Sequence, residues 1–382
     1  MKGLLLSGYD AASHRRWRLG LERSLPDFQF TQVALPPRYF SWRIRGSSLS
    51  LAGLSREVLE QPYDFLIATS MVDLSSLRGM LPAIARLPTL LYFHENQFAY
   101  PASGQQHHSL EPQMVTLYSA ICADRLAFNS RYNRRTFLEG AEALLGKMPD
   151  LVPRGVVDAL AAKSSVLPVP LEDELFLRKS APKLRANRPT LIWNHRWEYD
   201  KNPRLLLEAM GRICEHYRGR LPFVAHIVGE QFRREPEAFA PLKQLLQQAG
   251  ALGNWGYVAD AEQYRELLLR SHIALSTADH DFQGLAVLEA VASGCLPVVP
   301  KHQVYPEMLG DNWCYPVTGD LHSDAEALAM RLVELVDGLL ADRLPAAPDV
   351  SALAWSGQRE IYRQCLHELA GGATQLRTES VS

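Results

Sequence analysis

The stretch WGYVADAEQYRELLLRSHIALSTADHDFQGLAVLEAVASGCLPVVP, residues 255–300, decides the fold class. It predicts a buried strand over Ile273 to Ser276, a polar turn, and a helix over Leu285 to Ser293. Gly294 follows where a left-handed cap would end that helix, and Leu296 to Val299 is the next apolar run. A strand, a helix and a second buried strand in this order predict a parallel α/β sheet.

The turn before the helix combines two features of a ligand site. Backbone amides at a helix start lack partners within the helix, and Gly284 lets a ligand approach the backbone closely. Glu289 lies on an otherwise apolar helix, where a carboxylate needs donors such as sugar hydroxyls. From spacing alone, an exposed acid on the helix flank explains Glu289 equally well.

Asp281 and Glu289, eight positions apart around FQGLAVL, resemble the paired acids of retaining nucleotide-sugar glycosyltransferases of the GT-B architecture. The upstream segments GYV and EQYRELLLRSHIALS are similar to that family's lead-in. The first acid is usually Glu and is Asp here, one methylene shorter, which bears on how far it reaches. The resemblance implies an α/β fold with two Rossmann-like, doubly wound parallel-sheet domains and a cleft between them.

The same resemblance implies the roles of the donor-site residues. Arg196 and Lys201, five apart in HRWEYDKNP, would clamp the diphosphate, whose charge grows as it leaves. Asp281 would accept from the C3 and C4 hydroxyls of the sugar, and Glu289 from the ribose. The predicted donor-binding residues are Arg196, Lys201, Gly229, Val258, Asp281, Phe282, Gln283, Gly284, Leu285 and Glu289.

His94 ends the apolar run TLLYFH, at the carboxyl end of a predicted strand, where parallel sheets carry function. In the resembled family a histidine at this place faces the transferred sugar. The diphosphate leaves and the acceptor attacks on the same face of that sugar, without a protein nucleophile. We therefore predict that His94 positions and polarises the substrate, with Asp281, Arg196 and Lys201 as the other catalytic residues. A buried core histidine remains the alternative.

Six segments of the N-terminal half carry a narrower resemblance. They are SGYDAASHRRWRLGL, LPPRYFSWRIRG, ATSMVDLSSLRG, YFHENQFAYP, EPQMVTLYSA and FNSRYNR, spread over most of residues 3–170. Together they resemble the tRNA-queuosine α-mannosyltransferases. The resemblance implies transfer of mannose from GDP-mannose to queuosine at the wobble position of tRNA-Asp, with retention of configuration.

Residues 11–56 contain eight Arg, no Lys and two acids, with aromatic residues interleaved. This composition suits phosphate and base contacts, although an ordinary solvated surface also explains it. Within the resemblance it would bind the anticodon loop, with Arg43 and Arg45 furthest out, and we predict a loop from Leu35 to Gly46. The predicted acceptor-binding residues are Gly8, Ser13, His14, Arg15, Arg16, Arg43, Arg45, Glu95, Asn96 and Asn129.

The sequence also contains a possible metal-binding pattern. Asp279, His280 and Asp281 match the DxD pattern of other glycosyltransferases, in which two carboxylates hold Mg²⁺ or Mn²⁺. Because Arg196 and Lys201 would make a metal redundant, we predict no metal and no cofactor, with GDP-mannose as co-substrate.

Length and composition set the outer bounds. The 382 residues allow two domains, and 47% hydrophobic content with a net charge of −2 describes an ordinary soluble protein. We predict an N-terminal acceptor domain over 1–172, a polar linker over 172–189, a nucleotide-sugar domain over 187–349, and a terminal helix over 350–372 that packs back on the first domain. Five scattered cysteines and the lack of a signal peptide or long apolar run favour the cytoplasm and no membrane partner. The oligomeric state is not predicted.

Two other functions are also compatible with the sequence. One is a GT-B glycosyltransferase acting on a lipid or small metabolite, which predicts an exposed apolar and basic face on the first domain. The other is a non-catalytic protein that binds RNA or nucleotides, since a fold alone does not fix activity.

Overall fold

The computed structural model describes residues 1–100, 109–177, 188–343 and 345–379, with side chains up to residue 371. These residues form two compact units. Unit 1 comprises Met1–Pro170 and Trp355–Ser382, and unit 2 comprises Leu171–Ala354. Of the predicted linker, residues 178–187 lie outside the described part of the chain, and the preceding Glu174–Leu177 forms one helical turn.

Within its described residues, unit 1 is built on a six-stranded parallel sheet in the order β2-β1-β3-β4-β5-β6. Its strands are β1 Lys2–Ser7, β2 Gln29–Ala34, β3 Phe65–Thr69, β4 Thr89–Phe93, β5 Arg125–Phe128 and β6 Ser164–Val166. Its helices before the second unit are α1 Ala12–Ser24, α2 Phe40–Leu54, α3 Arg56–Leu59, α4 Leu74–Met80, α5 Pro82–Ala85, α6 Glu111–Cys122, α7 Arg131–Leu145 and α8 Val156–Ala162.

Unit 2, over the residues described, repeats the plan with strand order β12-β11-β10-β7-β8-β9, again all parallel. The strands are β7 Thr190–Asn194, β8 Val224–Val228, β9 Leu252–Gly256, β10 Ile273–Leu275, β11 Leu296–Pro300 and β12 Cys314–Tyr315. The α-helices are α9 Glu174–Leu177, α10 Pro203–His216, α11 Phe239–Gln248, α12 Ala261–Arg270, α13 Leu285–Ala292, α14 Tyr305–Leu309 and α15 Leu321–Leu340, with short 3-10 turns at Tyr199–Lys201, Asp311–Trp313 and Ser351–Leu353.

The central strands are buried on both faces, which is why they read as continuous apolar runs. Every residue of β3, β4, β10 and β11 is buried. Because both sheets are parallel, the carboxyl ends of β7, β10 and β11 meet at one edge of unit 2, and those of β1, β2 and β4 at one edge of unit 1. The polar residues that follow these strands are thereby gathered into two groups.

The last helix, α16 Trp355–Glu379, belongs to unit 1. Tyr362 Oη donates to the carbonyl of Pro168 at 2.9 Å and accepts from Trp17 Nε1 at 3.0 Å. Trp355 packs on Gly20 so closely that a Cβ there would lie 2.4 Å from the indole ring. These contacts attach α16 to helix α1 and to the end of the first segment of unit 1.

One local prediction is corrected. The segment Leu35–Gly46 is not a loop throughout, because α2 begins at Phe40 and carries Arg43 and Arg45 on its second turn. Helix α1 begins at Ala12, after Ala11, without a side-chain cap. No helix among the described residues combines the length and the apolarity needed to cross a lipid bilayer.

Candidate functional site

Lys201 and Asp281 are joined at the carboxyl edge of the unit 2 sheet. Lys201 ends the 3-10 turn after β7, and its Nζ lies 3.0 Å from Asp281 Oδ1, 3.1 Å from Asp200 Oδ2 and 2.6 Å from the carbonyl oxygen of His280. Burial alone would lower the pKa of Lys201, but the two carboxylates outweigh it and raise this pKa. The three ammonium protons are matched by three oxygens, so a phosphate that contacts Lys201 must displace one of them.

The second carboxylate oxygen of Asp281 is held by a tyrosine. Tyr305 Oη donates to Asp281 Oδ2 at 2.5 Å, and Gln303 Oε1 accepts from the Asp281 amide at 2.8 Å. Burial on its own would raise the pKa of Asp281, whereas Lys201, His195 and the Tyr305 hydroxyl together lower it to about 2. Asp281 is therefore a fixed anion whose side chain keeps 19% of its surface exposed. It can accept further donors without moving.

Glu289 is buried and has a network behind it. The residue is 5% exposed, and its Oε2 accepts from Tyr264 Oη at 3.2 Å. Asn194, the last residue of β7, donates to the same hydroxyl at 2.9 Å and to the carbonyl of Ala286 at 2.8 Å. The structure thus decides between the alternatives for Glu289: it is not an exposed acid on the helix flank.

Two glycines shape the backbone of this edge. Gly229 has φ 155°, and a Cβ there would lie 1.7 Å from the carbonyl oxygen of His195, so only glycine fits. Gly284, at φ 72°, precedes helix α13 and packs on the ring of Tyr305. Beside it, Phe282 is buried with its ring edge against His280, and Gln283 is buried too.

Arg196 differs from Lys201 in being accessible. Its side chain is 47% exposed and lies 2.9 Å from Glu198 Oε2. Of the two cations predicted to clamp the diphosphate, Arg196 is therefore the more accessible, since the Lys201 side chain is 7% exposed. The half-buried Val258 and Leu285 lie just after β9 and at the start of α13.

In the DxD segment, Asp279 Oδ1 accepts from Asn202 Nδ2 at 2.9 Å, while Asp281 is held by Lys201 and Tyr305. Within the described residues, no group of three or more His, Cys, Asp or Glu side chains is placed to hold a metal ion. The absence of a metal requirement stays a prediction.

In unit 1, His14 and His94 stack at the sheet edge with their ring centroids 3.9 Å apart and an interplanar angle of 17°. Glu95 Oε2 lies 3.1 Å from His14 Nε2. His94 is 6% exposed and also contacts Trp17 edge-on; burial, and then the neighbouring His14, hold its pKa well below the ordinary value. His94 is therefore neutral at pH 7, and its Nε2 has no protein hydrogen-bond partner in the structure.

The asparagines predicted to bind the acceptor are used inside unit 1. Asn96 is fully buried, donates to Asn133 Oδ1 at 2.8 Å and accepts from the amide of Phe98 at 2.9 Å. Asn129 donates to the carbonyl of His94 at 2.8 Å and accepts from Asn133 at 2.8 Å. Both side chains fix the loop that carries His94, so we assign them a positioning role in place of acceptor contact.

The remaining acceptor candidates fall into two classes. Gly8 and Arg43 are buried, Arg43 at 8% exposure with its Nε directed to the carbonyl of Pro36, so Arg43 offers little surface to RNA. Arg45 has an exposed side chain that lies 3.0 Å from Asp73 Oδ2. The exposed or half-buried members are Ser13, Arg15, Arg16, Arg45 and Glu95.

Sequence families of known proteins match both units of this chain. The N-terminal domain of tRNA-queuosine alpha-mannosyltransferases matches residues 2–171, and the group 1 glycosyl transferases match residues 178–347. A tRNA-queuosine alpha-mannosyltransferase of Drosophila melanogaster is 32% identical over 336 residues, which cover 86% of this chain and 85% of that protein. The chain belongs to the tRNA-queuosine α-mannosyltransferase family.

Solved structures establish the GT-B architecture of this family member. Anabaena HepE, crystallised with UDP and glucose, superposes with a TM-score of 0.65 at 16% identity and covers 96% of this chain and 100% of its own. A trehalose-6-phosphate protein of Escherichia coli, bound with UDP-2-fluoro glucose, gives 0.62 at 14% identity, over 97% and 99%. The two-domain α/β prediction is confirmed, and the protein is a glycosyltransferase.

Sequence reasoning missed four side chains of this mannosyltransferase-family site. Tyr264 donates to Glu289, Tyr305 donates to Asp281, and Asn194 donates to the Tyr264 hydroxyl. His195 is 4% exposed, and its Nε2 has no protein partner in the structure. Burial lowers the pKa of His195 to about 4, so it is neutral at pH 7. His195 and Asn194 could have been found as polar residues at a strand's carboxyl end; the two tyrosines gave no signal.

Proposed function

We propose that the protein transfers mannose from GDP-mannose to queuosine at the wobble position of tRNA-Asp, with retention of configuration. The observation that carries this proposal is the relative named tRNA-queuosine alpha-mannosyltransferase, which is similar along most of both chains. The solved relatives of the same fold were crystallised with UDP and glucose or with a fluorinated UDP-glucose, which supports a nucleotide sugar as the donor.

The geometry of unit 2 supports the donor half of the proposal. Glu289, oriented by Tyr264, is a buried acceptor suited to ribose hydroxyls, and Asp281 is an anion suited to sugar hydroxyls. Arg196 would bind the diphosphate directly. Lys201 would contribute by holding Asp281 and, after exchanging one oxygen partner, by meeting the leaving phosphate.

The proposed step is a substitution at the anomeric carbon of mannose. The bond from that carbon to the diphosphate oxygen breaks, a bond to a cyclopentene hydroxyl of queuosine forms on the same face, and the hydroxyl proton passes to the departing phosphate. The ion pair with Lys201 and the hydrogen bond from Tyr305 make Asp281 a weakly reactive carboxylate. That environment supports a positioning role for Asp281 over a covalent one.

The test is incubation of the full chain with labelled GDP-mannose and tRNA-Asp that carries or lacks queuosine. We expect label only in the queuosine-bearing tRNA, none from UDP-glucose or UDP-galactose, and removal of the mannose by an α-specific mannosidase. Other queuosine-bearing tRNAs test the choice of tRNA-Asp. Equal transfer to both tRNAs, or transfer to a lipid extract alone, would overturn the proposal.

A further inference from the structure

Tyr39 combines a strained backbone with an exposed ring. It precedes helix α2 with φ 57° and ψ 57°, the left-handed region that a bulky aromatic residue rarely adopts. Tyr39 is 72% exposed, and the guanidinium carbon of Arg38 lies 5.8 Å from the centroid of its ring. Non-glycine residues in this region cluster at ligand-binding sites.

Trp42, three residues further, packs against its own helix. A Cβ on Gly46 would lie 2.4 to 2.6 Å from three atoms of the indole, so the ring contacts the glycine closely. Any larger residue at 46 would push the ring away. Trp42 is 50% exposed, which leaves aromatic surface open to solvent.

The surroundings of both rings are basic. From Phe28 to Arg56 the chain has four Arg and no acid. Arg45 is engaged with Asp73 at 3.0 Å and Glu111 at 3.8 Å, so Arg38 is the better placed cation. This combination of exposed rings and arginine matches unpaired bases with their phosphates.

The rings also lie beside the predicted acceptor loop. Strands β1 and β2 run parallel, so the loops after Ser7 and Ala34 leave the same sheet edge. The Asp10 amide donates to the carbonyl of Leu35 at 2.9 Å, and the rings of Tyr9 and Phe40 are 6.0 Å apart. The start of α2 is thereby connected to the loop that contains Gly8.

We propose that Tyr39 and Trp42 form a stacking platform for unpaired bases of the tRNA anticodon loop, with Arg38 beside the backbone. This inference rests on the proposed tRNA substrate and names the surface that binds it. A membrane surface fits less well, although Leu49 is exposed on the same helix face as Trp42. Arg45 lies between Trp42 and Leu49 on that face. If the face bound lipid, the half-exposed carboxylate of Glu111 would also meet the headgroups.

The experiment compares Tyr39→Gly with Tyr39→Phe, and Trp42→Ala with Trp42→Phe. Glycine relieves the left-handed strain while removing the ring, so Tyr39→Gly should keep or raise the thermal midpoint. We expect Tyr39→Gly and Trp42→Ala each to weaken tRNA binding roughly 5- to 100-fold, the loss of one base stack, and both Phe variants to retain most of it. Leu54→Ala removes another exposed side chain, 83% exposed at the far end of α2, and should bind tRNA like the wild type.

Two further measurements separate the possible failures. Affinity for GDP-mannose, measured without tRNA, should be unchanged in every variant. If the wild type transfers no mannose to tRNA, the proposed function fails. If the wild type transfers mannose to tRNA, but Tyr39→Gly and Trp42→Ala bind tRNA normally, only the proposed platform is wrong. The platform would also be overturned if the wild type bound anionic phospholipid vesicles, and both variants lost that binding but kept their affinity for tRNA. That result would assign the surface to lipid.

Discussion

Lys201 Nζ lies 3.0 Å from Asp281 Oδ1, although the two residues are 80 positions apart in the chain. Lys201 follows β7, and Asp281 follows β10, the strand that pairs with β7 in parallel. The pairing of these strands therefore brings cation and anion together at one sheet edge. Because both side chains are largely buried, each depends on the other for its charge.

Lys201→Met should destabilise unit 2 by about 3 kcal/mol or more, since it leaves the Asp281 carboxylate without its ammonium partner. It should also slow mannose transfer. Urea unfolding gives the first result and steady-state kinetics the second. Arg56→Met, which removes the exposed pair with Glu60, is the matched control and should cost less than about 1 kcal/mol. The double variant Lys201→Met with Asp281→Leu should recover part of the loss; a larger loss in the double variant would contradict this account.

Glu289→Gln should weaken the binding of GDP-mannose by about tenfold or more, because an amide places a donor against the Tyr264 hydroxyl and removes a charged acceptor. Isothermal titration with GDP-mannose measures the effect. Glu262→Gln, on the neighbouring helix α12 and ion-paired with Arg265 at 2.7 Å, should bind the donor normally. Normal affinity in Glu289→Gln would remove Glu289 from the donor site.

His195 should make the protein less stable as the medium turns acidic. The pKa of His195 in the folded protein is about 4, below the ordinary 6.5. Between pH 4 and pH 6.5 the unfolded chain therefore binds a proton at this histidine and the folded chain does not. This stability is complete above about pH 6.5 and is lost as the pH falls towards 4. From pH 7 to pH 5 the loss is about 2 kcal/mol. His195→Gln should flatten the decline by that amount in urea titrations at the two pH values, and an unchanged slope would refute the assignment.

Gly229→Ala should destabilise the protein by about 3 kcal/mol or more, because its Cβ would lie 1.7 Å from the carbonyl oxygen of His195. Gly219→Ala is the matched control: its φ is also positive, at 85°, but a Cβ there meets no atom within 4 Å. Strain without a clash should cost it about 1 kcal/mol. Thermal unfolding of both variants measures the difference, and equal losses would show that the clash is relieved by backbone movement.

The sequence predicted the central strands better than the edges of the sheets. Leu296 to Val299 was predicted as a strand and lies in β11, because a strand buried on both faces is a continuous apolar run. No strand was predicted at β2, β9 or β12, and each of these lies at the edge of a sheet. β2 mixes polar with apolar residues, β9 contains two glycines and β12 has two residues. Edge strands have a neighbour on one side only, so their composition carries a weaker signal.

For the candidate site, the sequence motif indicated two acids and little of what surrounds them. Asp281 and Glu289 lie within one short segment, and their environment follows from a strand, a turn and a helix. Tyr305 and Tyr264 were not predicted, because their contacts depend on how α14 and α12 pack against the sheet edge. Arg43 shows the converse: composition placed it on a binding surface, whereas its position on α2 buries it.

The attachment of α16 to unit 1 has a consequence for biosynthesis. Residues 171–354 leave the ribosome before α16, the helix that contacts Trp17 and Gly20. Unit 2 can therefore fold while unit 1 still lacks its last helix. During that interval Trp17 lacks its hydrogen bond to Tyr362, and the surface around Gly20 lacks the indole of Trp355. A chaperone that shields apolar surface would find its target there, and a stop codon just after residue 354 would make that exposure permanent.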